Sequence, residues 1–102
     1  MSQIKNLYDL IEFPKQGVLS KTIEENSVAE FDIFMLPKGE KISGHTSSRN
    51  AAVQILKGEA DFQLGQDWHR VKPGDWFFME AGLPHAINAA TDLVFCLTLF
   101  GA

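Results

Sequence analysis

The chain has 102 residues, 45% of them hydrophobic and 22% charged, with a formal net charge of −4. That length suits one domain with a core of ordinary size, and the acidic balance excludes a nucleic-acid partner, which needs clustered Lys and Arg to neutralise phosphates. No apolar run reaches the roughly 18 residues of a membrane-crossing helix, so no membrane insertion is expected.

The opening stretch MSQIKNLYDLIEF lacks a basic start followed by a long apolar block. No secretory leader is expected from it, and the cytoplasm is the expected location. Leu7, Leu10 and Ile11 fall at helical spacing behind Asn6, a candidate cap. Residues 1–16 therefore read as an N-terminal arm or short helix, and residues 17–100 as a barrel of strands.

Alternation starts next. Val18, Ser20 and Thr22 stand against Leu19, Lys21 and Ile23, then Phe31, Ile33 and Met35 against Glu30, Asp32 and Phe34. Period two means half-buried strands, and the frequent Gly and Pro leave little room for helix. Residues 53–57 and 59–64 flank Gly58 and read as a hairpin. A second hairpin is expected at Gly65-Gln66-Asp67, leading into residues 68–71. Lys72-Pro73-Gly74-Asp75 has the Pro and Gly placement of a type II turn, where Gly accepts the positive φ required. The run WFFM at 76–79 defeats simple alternation and leaves open which side chains point inward. Residues 93–100 are apolar on both faces, and a subunit partner is the simplest cover, so a homodimer is expected. Cys96 lies inside this run with no basic neighbour, which suits a buried small hydrophobe better than a reactive thiol.

Gly39, His45, Ser47, Ala51 and Gly58 fit the frame of the first cupin motif: glycine, five residues, His-x-His, three or four residues, glutamate, six residues, glycine. Gly74, Glu80, Gly82 and His85 resemble the second, in which glycine, five residues, proline, one residue, glycine and two residues lead to histidine. Together the motifs cover residues 39 to 85. The resemblance implies an all-β fold, a double-stranded β-helix or jelly-roll barrel, in a single domain spanning residues 1–102. It also implies a pocket where metal-binding relatives use two histidines and a carboxylate from the first motif and a histidine from the second.

Here only His45 and His85 remain. Ser47 stands at the second histidine position, Ala51 at the glutamate and Glu80 at the second-motif proline. The pattern Gly-His-Thr-Ser followed by alanines and VQILKGEA is similar to a subgroup of very small bacterial cupins, which look like dimeric binding proteins of undefined activity.

Two imidazoles fall short of the three or four ligands that hold a transition metal. No resident cofactor is expected on that count, and a divalent metal (Fe, Mn, Ni or Zn) on His45 and His85 is the alternative. The preferred reading is a barrel that binds a small organic ligand, with His45, Ser47, Gln54, Met79 and His85 as contacts. The metal reading makes the protein a dioxygenase- or isomerase-type enzyme, its shell completed by Gln54 or a substrate atom. A third makes it a dimeric regulatory or interaction protein, whose dimer a charge at Leu97 or Leu99 would split. No nucleophile or ring-orienting carboxylate is evident, and Ser47 and Ser48 read as loop residues. Arg49 reads as a solvated arginine within reach of an anionic ligand, and strand parity separates His69 from the other two histidines.

Overall fold

A computed structural model describes residues 4–101. Nine antiparallel strands follow a short 3-10 turn at Leu7–Leu10: β1 Leu19–Glu25, β2 Ala29–Leu36, β3 Lys41–His45, β4 Ala51–Lys57, β5 Ala60–Leu64, β6 Asp67–Val71, β7 Trp76–Met79, β8 His85–Ala89 and β9 Leu93–Phe100. They form two sheets, one ordered β1-β2-β9-β4-β7 and the other β3-β8-β5-β6. Strands that neighbour in sequence often lie in opposite sheets, as a jelly roll requires.

The inner faces of the two sheets pack on each other. Leu36, Val53, Ile55, Phe62, Leu93 and Phe95 are almost wholly buried there. Phe62 meets both Phe77 and Phe95 edge-on, with ring centroids 4.8 and 5.6 Å apart, and Phe34 stacks on Phe95 at 5.0 Å. Burying an aromatic side chain of this kind contributes about 1.5–3 kcal/mol.

The run WFFM proves regular. Phe77 and Met79 point into the core, while Trp76 and Phe78 stand on the outer face at 62% and 47% exposure. Lys72 to Asp75 turns as expected, with Gly74 at φ +92° and the Asp75 N–H donating to the Lys72 carbonyl. The Gly65 turn also forms, with Leu64 facing Asp67 across it.

The expected hairpin about Gly58 does not form. β4 pairs with β7 and β9, and β5 with β6 and β8, so the chain crosses between sheets at this point. Gly58 sits at φ +83°, and a Cβ there would lie 1.9 Å from the carbonyl oxygen of Asp92. The glycine serves a crossover pressed against the loop before β9, and turn chemistry alone does not distinguish that from a hairpin.

The apolar outer face of β9 is covered in part by the chain's own arm. Leu7, Leu10, Ile11 and Phe13 pack with Ile33, Met35, Val94 and Cys96. Asn6 caps the 3-10 turn, its side chain accepting from the Tyr8 N–H at 2.9 Å. The part left open carries Trp76, Phe78, Phe100 and Phe31, beside a groove of about 340 Å³ between Leu7, Ile23, Gln54, Cys96 and Thr98. Among the described residues, no helix is long and apolar enough to cross a membrane.

Candidate functional site

His45 ends β3 and His85 begins β8, directly opposite each other in the ladder. Ile42 faces Ile87, and three residues of β3 then span two of β8 before His45 meets His85. That extra residue is a bulge, which lets Ile42 and His45 share the inner side despite their odd separation. Gly44, inside the bulge, passes within 4.0 Å of the His85 carbonyl, measured from where a Cβ would stand.

The two rings meet Nε2 to Nε2 at 2.9 Å, with centroids 4.1 Å apart. The His45 Nδ1 lies 2.9 Å from the Ser43 carbonyl, and the His85 Nδ1 2.9 Å from the Leu83 carbonyl. A carbonyl only accepts, so each Nδ1 carries the hydrogen and donates it. Two neutral rings bring two N–H hydrogens to three contacts, which turns both Nε2 lone pairs toward each other. Only a positive centre between them, a shared proton or a metal cation, makes that contact attractive.

Above the rings opens a cavity of about 280 Å³, its walls including Ser47, Arg49, Ala51, Met79, Leu97 and Leu99. His85 is 7% exposed at its base, whereas His45 is open to solvent. The rim is tied by backbone contacts. The Gly82 N–H donates to the Ser47 carbonyl at 2.8 Å, and the Ala81 N–H to the Asn50 side chain at 2.7 Å. Ser47 Oγ accepts from the Arg49 N–H at 3.1 Å, a local turn contact and not that of an activated nucleophile. Arg49 reaches the Glu30 carboxylate at 3.5 Å and the Gly101 carbonyl at 3.4 Å, both long.

Of the residues expected from sequence, His45, Ser47, Met79 and His85 share this cavity. Gln54 does not. It stands on the outer face of β4 opposite Trp76 and Cys96, because Val53 and Ile55 take the inward positions. Gln54 is thus placed to complete no shell around the histidines. His69 is exposed on β6, beside Trp76 and away from the pair. Leu97 and Leu99, expected at a subunit contact, line the cavity instead, because they share the inner face of β9 with Leu93 and Phe95.

Sequence reasoning missed Asp32. The residue is 6% exposed on β2, between Thr22 of β1 and Leu97 of β9. Burial, and then the Glu30 carboxylate, push its carboxyl up to about 6. Its place among Phe31, Ile33 and Phe34 was the available signal. An acid flanked this way on a strand bounded on both sides is hard to keep wet.

The donor set offers a cation two imidazole nitrogens and no more. Among the described residues no group of three His, Cys, Asp or Glu side chains converges. Ser47 and Ala51 do face the cavity, so the space where relatives carry ligands is present while the donors are not. A metal-bound histidine typically donates its other N–H to a carbonyl or carboxylate, as both rings do here. The residues fit a metal as two of its ligands, the rest falling to water or the bound molecule.

The family described as Cupin domain matches residues 32–100. A conserved protein of unknown function from Streptococcus pyogenes superposes with a TM-score of 0.86 at 28% identity, over 100% of this chain and 90% of its own. A cupin superfamily protein of Desulfitobacterium hafniense gives 0.88 at 22%, over 100% and 94%. An uncharacterized protein of Aquifex aeolicus is 22% identical, over 96% of this chain and 83% of its own length.

Proposed function

Since the chain belongs to the cupin-domain family, we propose that it is a cytoplasmic binding protein that takes a small organic molecule into the mouth of its barrel. The observation that carries this is the pair of convergent Nε2 atoms at the base of a cavity walled by Ala51, Met79, Leu97 and Leu99. Apolar walls with a few fixed polar groups hold a small ligand by burial and orient it by hydrogen bonds. The experiment is a fragment screen followed by amide NMR. Binders are expected to shift His85, Leu97 and Leu99 saturably and to lose their effect when His45 and His85 are both changed to Ala. Binders that cluster elsewhere and ignore the double variant overturn the reading.

The second reading, a metal-assisted enzyme, is favoured by the two Nδ1 contacts to carbonyls. A metal would supply Lewis-acid chemistry, while His45 and His85 would hold it and Ser43 and Leu83 would orient the rings. Nitrogen ligands lie about 2.0–2.1 Å from zinc, so two on one ion are at most about 4 Å apart, and 2.9 Å is compatible. Elemental analysis of protein purified without metal-affinity resin, with thermal shifts against Fe, Mn, Ni and Zn, decides it. Above about half an equivalent of one metal, with a melting point that rises with its concentration, this reading replaces the first.

The partner best suited to the outer face is a second copy. Trp76 and Phe78 form a ridge beside the groove lined by Leu7, Ile23 and Cys96 on the same face of the five-stranded sheet. Two-fold association needs a patch complementary to itself, and a ridge next to a groove meets that need.

A further inference from the structure

The barrel mouth has one formal cation among its lining residues, Arg49, and that cation leans on an unusual pair. Glu30 and Asp32 lie two apart on β2 and so share its inner face. Asp32 Oδ1 is buried and has no hydrogen-bonding partner among the described residues. Leaving an ionised carboxylate oxygen in that state is costly, and a carboxyl group so placed keeps its proton instead.

The charged groups around the pair are few. From β1, Thr22 faces Asp32 and Glu25 faces Glu30. From β9, Leu97 and Leu99 stand opposite and carry no charge. From the loop before β4, Arg49 contacts Glu30. Two carboxylates on one face, with a third nearby and a single guanidinium at 3.5 Å from one of them, favour the state in which one carboxylate is neutral.

We propose that in mildly acidic solution Asp32 holds a proton in the folded protein, donates it in a hydrogen bond to Glu30, and through Glu30 sets how firmly Arg49 is held at the barrel mouth. With the proton in place, Glu30 is the one anion of the trio, and the trio carries no net charge. When the proton leaves to solvent, two carboxylates face one guanidinium, and Arg49 is drawn toward β2 and away from the cavity. The mouth is then one charge more negative. As regulation of ligand binding this rests on the mouth being the binding site, but the titration itself needs no ligand and stands or falls separately.

The direction with pH follows from burial and the neighbouring anion, which raise Asp32 from its ordinary 3.8 to about 6, while the adjacent Asp32, and then Arg49, hold Glu30 below the usual carboxylate range. A raised acid stabilises the folded state fully below about pH 4 and loses that contribution as pH rises through about 6. Glu30 has the opposite sign, and its contribution is lost only in stronger acid.

Carbon-13 NMR of the Asp32 side-chain carboxyl is the test, recorded from pH 4 to 8 together with the Arg49 Nε–H signal. The expected result is one titration near pH 6 seen at both groups. Asp32→Asn should freeze the Arg49 signal and shift the folding equilibrium toward the native state by roughly sixtyfold at pH 8 relative to its effect at pH 4. Glu30→Gln, which removes the neighbouring anion, should bring Asp32 back toward its ordinary range, so a poorly folding Asn variant does not leave the matter open. An Asp32 carboxyl that titrates near 4 in the unaltered protein overturns the proposal. An Arg49 signal that ignores the Asp32 titration overturns the link to the mouth.

Discussion

The two ends of the barrel interior are built from the same strands and behave differently. On the inner face of β9, Leu93 and Phe95 are buried to within 1%, while Leu97 and Leu99, further along, are only half-buried. On β4, Val53 and Ile55 fill the closed end, and Ala51 at the open end leaves room. Three phenylalanines plug one end, and two histidines floor the other. The difference is one of side-chain volume along strands of uniform pairing, so the site can change while the fold stays fixed.

The largest test of that separation is Phe95→Ala. Truncating a buried ring amid Phe34 and Phe62 is expected to cost about 3–5 kcal/mol in urea denaturation. Gly58→Ala should come next at about 2–3 kcal/mol, since the added methyl meets backbone and the positive φ is strained. His45→Ala with His85→Ala should cost below about 1 kcal/mol, because one ring is solvent-facing and removing both leaves no stranded partner within the pair. Ligand shifts should nonetheless vanish. Ser47→His with Ala51→Glu would sharpen the comparison from the other side. It should restore a set of three imidazoles and a carboxylate facing the cavity, read as near-stoichiometric Ni or Mn by calorimetry and as a melting temperature that rises with added metal. Trp76→Lys should leave both ends untouched and shift only the sedimentation behaviour, toward monomer.

Much of this was legible in the sequence. The spacing of Gly39, His45 and Gly58, and of Gly74, Gly82 and His85, gave the barrel and the two histidines. Gln54 was misplaced although its own neighbours held the answer: Val53 and Ile55 alternate with it, and a strand cannot send all three inward. Leu97 and Leu99 were misplaced for a different reason. β9 is apolar on both faces, and nothing local says which row the arm covers; only the packing of Leu7, Leu10 and Phe13 on Val94 and Cys96 decides it. The convergence of the imidazoles needed the bulge in β3, which strand periodicity does not announce. Asp32 was missed although Phe31, Ile33 and Phe34 flank it, because its burial is completed by strands on both sides.

The arm gives Cys96 a further role as a built-in gauge. Cys96 is half-buried against the segment that carries Leu7 and Phe13 and lines the groove beside it, and burial raises its thiol above the ordinary range. With the arm in place the thiol is partly shielded, and removing the arm would expose it further. Labelling by iodoacetamide is therefore expected to be faster in a shortened chain lacking residues 4–13, and the ratio of the two rates measures how much shelter the arm gives.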